Sequence, residues 1–127
     1  MGRASSAECI PLTHMPANFL KIRSSDVLDE LFERSKAEPV VLFKHSSRCG
    51  ISSHLKEIIG EIDADIHYVV VQEDRVLSDR IAERTGYRHH TPQIFVLKNG
   101  EPAYHATHYG IDASRVAAAA RGEKNGS

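Results

Sequence analysis

The chain has 127 residues, 41% hydrophobic and 26% charged, the composition of one ordinary globular domain that can bury a core without disulfides or metals. A net charge of −1 and a pI near 6.7 exclude any broad electrostatic attraction to nucleic acid or anionic membranes. The longest apolar runs, such as VVLF at 40–43 and YVVV at 68–71, fall far short of the roughly 20 residues that a membrane helix needs. The opening MGRASSAECIPLTHMP lacks the apolar core of a secretory signal, so a cytoplasmic location is expected, where structural disulfides are rare.

Residues 1–17, rich in Ser, Ala and Pro, read as an irregular arm, and residues 18–121 as a single domain. FLKI (19–22) is a first strand. SSD (24–26) starts a helix, because serine hydroxyls accept the orphan N–H groups of a first turn, and Val27, Leu28, Leu31 and Phe32 then recur at helical spacing. Pro39 follows that helix and precedes VVLFKH (40–45), whose unbroken apolar run predicts a central strand covered on both faces. From Cys49 the period changes to 3.6, with Ile51, Leu55, Ile58 and Ile62 on one stripe. IHYVVV (66–71) is a second buried strand. Residues 74–85 form a helix with Leu77 and Ile81 inward and Gly86 as its stop. QIFVLK (93–98), the turn dipeptide Asn99-Gly100 and EPAYHATHY (101–109) predict a hairpin. Asp112 caps a last helix that runs through the alanines at 117–120, and residues 122–127 read as a flexible tail. The order β-α-β-α-β-α-β-β-α predicts an α/β domain with a mixed central sheet and helices on both faces.

Cys49 lies where the central strand gives way to a helix. A cysteine reacts as its thiolate, and a helix N-terminus lowers the thiol pKa. Arg48 is adjacent, Lys44 and His45 are near in sequence, and Gly50 removes bulk beside the sulfur, all of which favour an accessible, activated thiol. The competing reading is a buried structural cysteine, against which the polar flanks Ser46, Ser47 and Arg48 argue. Cys9 and Cys49, 40 residues apart, match neither a zinc spacing nor a Cys-x-x-Cys pair. The position where a second thiol would stand is Ser52.

A second constellation is HHTPQIFVLKNG, 89–100. Pro92 stands directly before a buried strand, where it cannot donate to the ladder and marks a strand start or special turn, with a cis Thr91–Pro92 peptide as one such device. Together the two stretches resemble the thioredoxin fold over residues 18–121. The blocks FKHSSRCGIS, EDRVLSDRIAERTGYRHHTPQIFVLKNGE and HATHYGID further resemble the YtxJ-type monothiol bacilliredoxins. That resemblance implies a thiol-disulfide oxidoreductase that removes bacillithiol from mixed disulfides on S-thiolated client proteins. Cys49 would be the nucleophile, and His45, Ser46 and Arg48 would belong to its motif. Thr91 and Pro92 would face Cys49, with the backbone at Thr91 pairing with the bound partner. His90 would line the same groove. The resemblance implies no bound cofactor, only a low-molecular-weight thiol such as bacillithiol as co-substrate; the charge balance and the short apolar runs already lead to the expectation of no nucleic-acid or membrane partner.

Two positions qualify this reading. The bacilliredoxin pattern has Pro after the cysteine, whereas this chain has Gly50. The resulting Cys-Gly-Ile-Ser is close to the Cys-Gly-Phe-Ser of monothiol glutaredoxins, which are associated with a bridging iron–sulfur cluster. A cluster carrier and a non-catalytic thioredoxin-like binding module are therefore the alternative readings. Ser52 cannot resolve a mixed disulfide, so an external thiol is required, and its hydroxyl is a candidate donor to the Cys49 thiolate. The eight histidines (14, 45, 54, 67, 89, 90, 105, 108) do not form a metal-site spacing. His54 reads as a helix-surface residue, and His105 and His108 would face opposite sides of one strand.

Overall fold

The computed structural model describes residues 17–48 and 50–122. Five strands and four helices follow one another as β1 (Asn18–Lys21), α1 (Ser25–Arg34), β2 (Val40–His45), α2 (Gly50–Ile59), β3 (Asp65–Val70), α3 (Arg75–Thr85), β4 (Gln93–Lys98), β5 (Glu101–Thr107) and α4 (Ala113–Ala120). They build one mixed sheet in the order β1-β3-β2-β4-β5. β1 and β2 run parallel to β3, while β4 runs antiparallel to both β2 and β5.

The helix starts are set by side-chain oxygens. Ser24 Oγ accepts from the Val27 N–H at 3.2 Å, and Asp74 Oδ1 accepts from Leu77 at 3.0 Å. Asp112 Oδ1 takes the Ser114 and Arg115 N–H groups at 2.8 and 3.3 Å. Each such cap is worth about 1 kcal/mol. α3 ends at Gly86, whose φ of +78° is a left-handed conformation that costs glycine nothing. The β4–β5 hairpin closes through Asn99 and Gly100 at φ +58° and +79°, the turn that matches strand twist.

β2 is central, and all six of its residues are buried. Its side chains alternate between two cores. Val41 and Phe43 pack with Leu55, Ile59 and Ile62 from the α2 region and with Val116 of α4. Val40 and Leu42 pack with Leu28, Leu31 and Phe32 of α1 and with Leu77 and Ile81 of α3. Helices thus cover both faces, α2 and α4 on one, α1 and α3 on the other. Asp29 additionally joins Arg80 and Arg84 across α1 and α3 at 3.2 and 2.7 Å.

Four details differ from the sequence-based expectation. The last strand ends at Thr107 and not at residue 109. Its ladder partner β4 begins at Gln93, which pairs with Thr107, so nothing remains for His108 and Tyr109 to pair with. His108–Gly110 turn instead as a short 3-10 helix, with His108 at φ +50° and its N–H on the Pro92 carbonyl at 3.0 Å. On α2, Ile58 is 36% exposed while Ile59 is fully buried, because the stripe through Ile51 and Leu55 continues at the i+8 position. Val27 likewise faces solvent, at 39% exposure. At the N-terminal boundary Ala17, assigned to the arm, is buried and donates to the Gly60 carbonyl at 3.2 Å.

Candidate functional site

The site begins at the C-terminal end of β2. After His45 the chain turns through Ser46, Ser47 and Arg48, and α2 starts at Gly50. Cys49, the residue between, lies outside the described residues, as does Cys9. Its neighbours on both sides are fixed by hydrogen bonds that sequence reasoning did not anticipate.

Ser52 is the hub. It is fully buried, and its Oγ accepts the Ser46 N–H at 3.0 Å and lies 2.7 Å from His45 Nδ1. The first turn of α2 is thereby pinned to the end of β2. His45 is itself buried and stacks on Phe43 with ring centroids 5.7 Å apart. Burial, and then the charge of Lys56, hold its pKa below the ordinary histidine value, so the ring is neutral at pH 7. Ser46 Oγ in turn accepts the Arg48 N–H at 3.4 Å and the Gln72 side-chain N–H at 2.6 Å, while Gln72 Oε1 accepts the Ser47 N–H at 3.2 Å. Gln72 therefore holds the turn from the β3–α3 side.

α2 carries no acidic residue in its first turn. The positive end of its dipole, with its unpaired N–H groups, is not neutralised from within. Gly50 is not demanded by space: a Cβ there meets no described atom within 4 Å, and its φ is not left-handed.

The second half of the site comes from the segment before β4. The register pairs Lys44 of β2 with Gln93 of β4, so His45 and Pro92 emerge side by side at one end of the sheet. The Thr91–Pro92 peptide is cis. Buried Gln93 organises this segment: its Oε1 accepts the His90 N–H at 3.3 Å, and its Nε2 donates to the Arg88 carbonyl at 3.0 Å and lies 3.0 Å from His105 Nε2. The His90 ring meets the His108 ring edge-on at 5.7 Å, an arrangement made possible by the 3-10 turn. His105 instead stacks on Tyr87 at 3.8 Å. His54 is exposed on α2, as expected.

The predicted residues thus fall into two adjoining groups. His45, Ser46, Arg48, Gly50 and Ser52 form a hydrogen-bonded turn, and His90, Thr91 and Pro92 form the neighbouring loop. Gln72, Gln93 and His108 were missed, since an isolated glutamine or a strand-end histidine carries no motif. Grooves open on both flanks of the turn. One of about 380 Å³ lies on the α2 side between Phe19, His45, Ser53, Lys56 and Glu57. The other, of about 260 Å³, lies on the α3 side and includes Gln72, Arg75 and His89.

A central parallel strand running into a helix, with a cis-proline loop beside the junction, places the molecule among the thioredoxin-like proteins. Solved structures agree. A candidate oxidoreductase with a thioredoxin fold is 34% identical, with a TM-score of 0.73 over 80% of this chain and 92% of that chain. A mutant thioredoxin from Halobacterium salinarum, 19% identical, gives a TM-score of 0.61 over 88% of this chain and 96% of that chain. Schistosoma mansoni thioredoxin, 18% identical, gives 0.63 over 86% and 98%. Within this class, residues 20–116 match the family described as Monothiol bacilliredoxin BrxC. The chain belongs to that family. Membership, together with the oxidoreductase relative, supports a thiol oxidoreductase. No helix among the described residues is long and apolar enough to cross a membrane.

Proposed function

We propose that the protein removes a low-molecular-weight thiol, bacillithiol, from mixed disulfides on S-thiolated client proteins, with Cys49 as its single nucleophile. The Cys49 thiolate attacks the bacillithiol sulfur, a new sulfur–sulfur bond forms, and the client leaves as its thiolate. A second small thiolate then attacks the mixed disulfide on Cys49, leaves as the symmetrical disulfide, and regenerates Cys49. Neither step needs a bound cofactor, a metal or a net oxidant, because each exchanges one disulfide for another.

The observation that carries the monothiol cycle is the state of Ser52. Its oxygen sits where a resolving sulfur would stand, and it is committed inward to Ser46 and His45. The position serves the architecture of the turn, and resolution falls to an external thiol. An acid-free first turn of α2 and the cation at Arg48 favour the thiolate at the residue between them.

The test is release of bacillithiol from a model protein mixed disulfide, followed by intact mass. Wild type is expected to turn over only with an added small thiol, and Cys49→Ser to be inactive. Iodoacetamide trapping should show a midpoint well below ~8.5, the free-thiol value. Equal activity in Cys49→Ser would remove the proposal, and a Cys9–Cys49 disulfide in the oxidised protein would replace the monothiol cycle with an internal one.

A further inference from the structure

Ser52 Oγ makes two contacts, and the sense of one of them governs where its proton goes. A hydroxyl has one O–H to donate and two lone pairs that accept. The Ser46 N–H at 3.0 Å can only donate, so it fills one lone pair. The contact with His45 Nδ1 at 2.7 Å has two senses. If Nδ1 is bare, the hydroxyl proton goes to the ring, and the ring proton sits on Nε2. If Nδ1 carries the proton, it donates to Ser52, both lone pairs are filled, and the O–H is released for another acceptor.

The groove on the α2 side bears on this choice. His45 lines it together with Phe19, Ser53, Lys56 and Glu57. Nδ1 faces Ser52, so Nε2 is the nitrogen left for the groove. The Lys56 ammonium is held there over the Phe19 and Tyr68 rings, 5.1 and 5.5 Å from their centroids. After burial itself, Lys56 is the charge that depresses the His45 pKa, and Glu57 adds no comparable pull. The neighbours of the ring on β2 and β3 are uncharged: Phe43 stacks on it, and Val70 pairs with its backbone. An ammonium is a donor only. A bare Nε2 lone pair toward it is favourable, and an Nε2–H toward it is not.

The released O–H needs an acceptor. A helix serine often bonds back to the carbonyl four residues earlier, but among the described residues the contacts of Ser52 Oγ are those with Ser46 and His45. Cys49 directly precedes Gly50, the first residue of α2, and Ser52 is the third. The residue before a helix and its third residue are the pair whose side chains and backbone meet in a capping box.

We propose that His45 and Lys56 are positioning residues for Cys49: Lys56 keeps the His45 proton on Nδ1, the Nδ1–H fills the second lone pair of Ser52, and the Ser52 O–H is thereby aimed at the Cys49 thiolate. The inference rests on the thiol exchange proposed above. The bond favours Cys49 both as the attacking thiolate and as the sulfur that leaves when the mixed disulfide is resolved.

The ring and the sulfur are read separately. A long-range 1H–15N NMR correlation on labelled protein at about pH 8, where an ordinary histidine is neutral, distinguishes a protonated ring nitrogen from a bare one. The His45 proton should sit on Nδ1 in wild type and in Lys56→Arg, and Lys56→Met should populate the form with the proton on Nε2. An Nε2–H ring in wild type, or a tautomer indifferent to Lys56→Met, would overturn the proposal. Iodoacetamide trapping against pH then follows Cys49, with Arg48 common to every variant. His45→Leu should raise the midpoint by about one unit, the tenfold loss of thiolate expected when one hydrogen bond to a charged acceptor goes. Lys56→Met should raise it by a smaller step, Lys56→Arg should leave it in place, and Lys56→Met added to His45→Leu should move it no further. An equal rise from Lys56→Met with and without the ring would mean that Lys56 acts on the sulfur directly, and the proposal would fall. Should His45→Leu fail to fold, the tautomer and the two Lys56 variants decide alone. Neither readout uses bacillithiol, so a wild type that removes no adduct would sink the functional reading and leave this one to be decided by the tautomer and the midpoint.

Discussion

Replacing Ser52 by alanine should unsettle the protein more than any surface change near the cysteine. The substitution removes one oxygen that two buried groups share, the Ser46 N–H at 3.0 Å and His45 Nδ1 at 2.7 Å. Ser46 and His45 are only 7% and 8% exposed, so water cannot readily replace the lost partner. Leaving a buried polar group unpaired costs about 1–3 kcal/mol. Two such groups, with some local relaxation, give about 2–4 kcal/mol, a large share of a typical stability of about 5–15 kcal/mol. Urea unfolding should show a lower midpoint with an unchanged m-value, and the melting temperature should fall by roughly 10 °C. Ser52→Cys places a thiol three residues after Cys49, but a thiol is a weak hydrogen-bond acceptor. It should therefore lose about 1–3 kcal/mol as well. A loss below about 0.5 kcal/mol in Ser52→Ala, the range of an ordinary surface substitution, would refute the claim that this oxygen holds the turn.

Other outcomes follow from the same structure. Burial holds His45, His67 and His105 below the ordinary histidine pKa of 6.5, with Lys56, Arg34 and His90 respectively adding to the effect. The unfolded chain therefore takes up protons first as pH falls through 6.5, so stability is complete above that value and declines below it. Urea midpoints should be lower at pH 5.5 than at pH 7.5, and His67→Gln, which removes the ring that faces Arg34 at 3.0 Å, should flatten the dependence; an unchanged midpoint would contradict it. Lys44→Met should stabilise the fold at pH 7 by on the order of 1–4 kcal/mol, because it removes a buried charge. The pKa of Lys44 falls from 10.5 to about 8, so the gain should shrink as pH rises through that interval, and a gain independent of pH would point to packing instead. Gly50→Pro should be tolerated or stabilising by about 0.4–1 kcal/mol, since the first helical position needs no N–H bond. Among the described residues no atom outside its chain neighbours and its own helix backbone lies within 4 Å of a Cβ at Gly50, so a clear loss of melting temperature would mean that the turn requires the glycine amide.

Much of the architecture was legible because its signals are local. The continuous run VVLFKH, the helical stripes through Leu28–Phe32 and Leu77–Ile81, and the Asn99-Gly100 turn each state their own structure. The strand end at Thr107 was not legible, because a ladder stops where its partner stops, and that partner begins at Gln93. The swap of Ile58 for Ile59 on α2 has a similar origin: the periodic stripe fits both, and the sheet beneath chooses one.

The candidate site divides along the same line. The sequence alone determined that one cysteine stands between a central strand and a helix, that a serine occupies the place of its partner, and that a Thr-Pro pair precedes a later buried strand. Those are properties of neighbours in the chain. Only the tertiary structure decided that Ser52 points inward to His45, that Gln72 and Gln93 clamp the two loops, and that the Lys44 ammonium is buried against the Ser78 carbonyl. Hydrogen bonds and buried charges depend on which distant atoms come within about 3 Å, and no spacing along one chain encodes that.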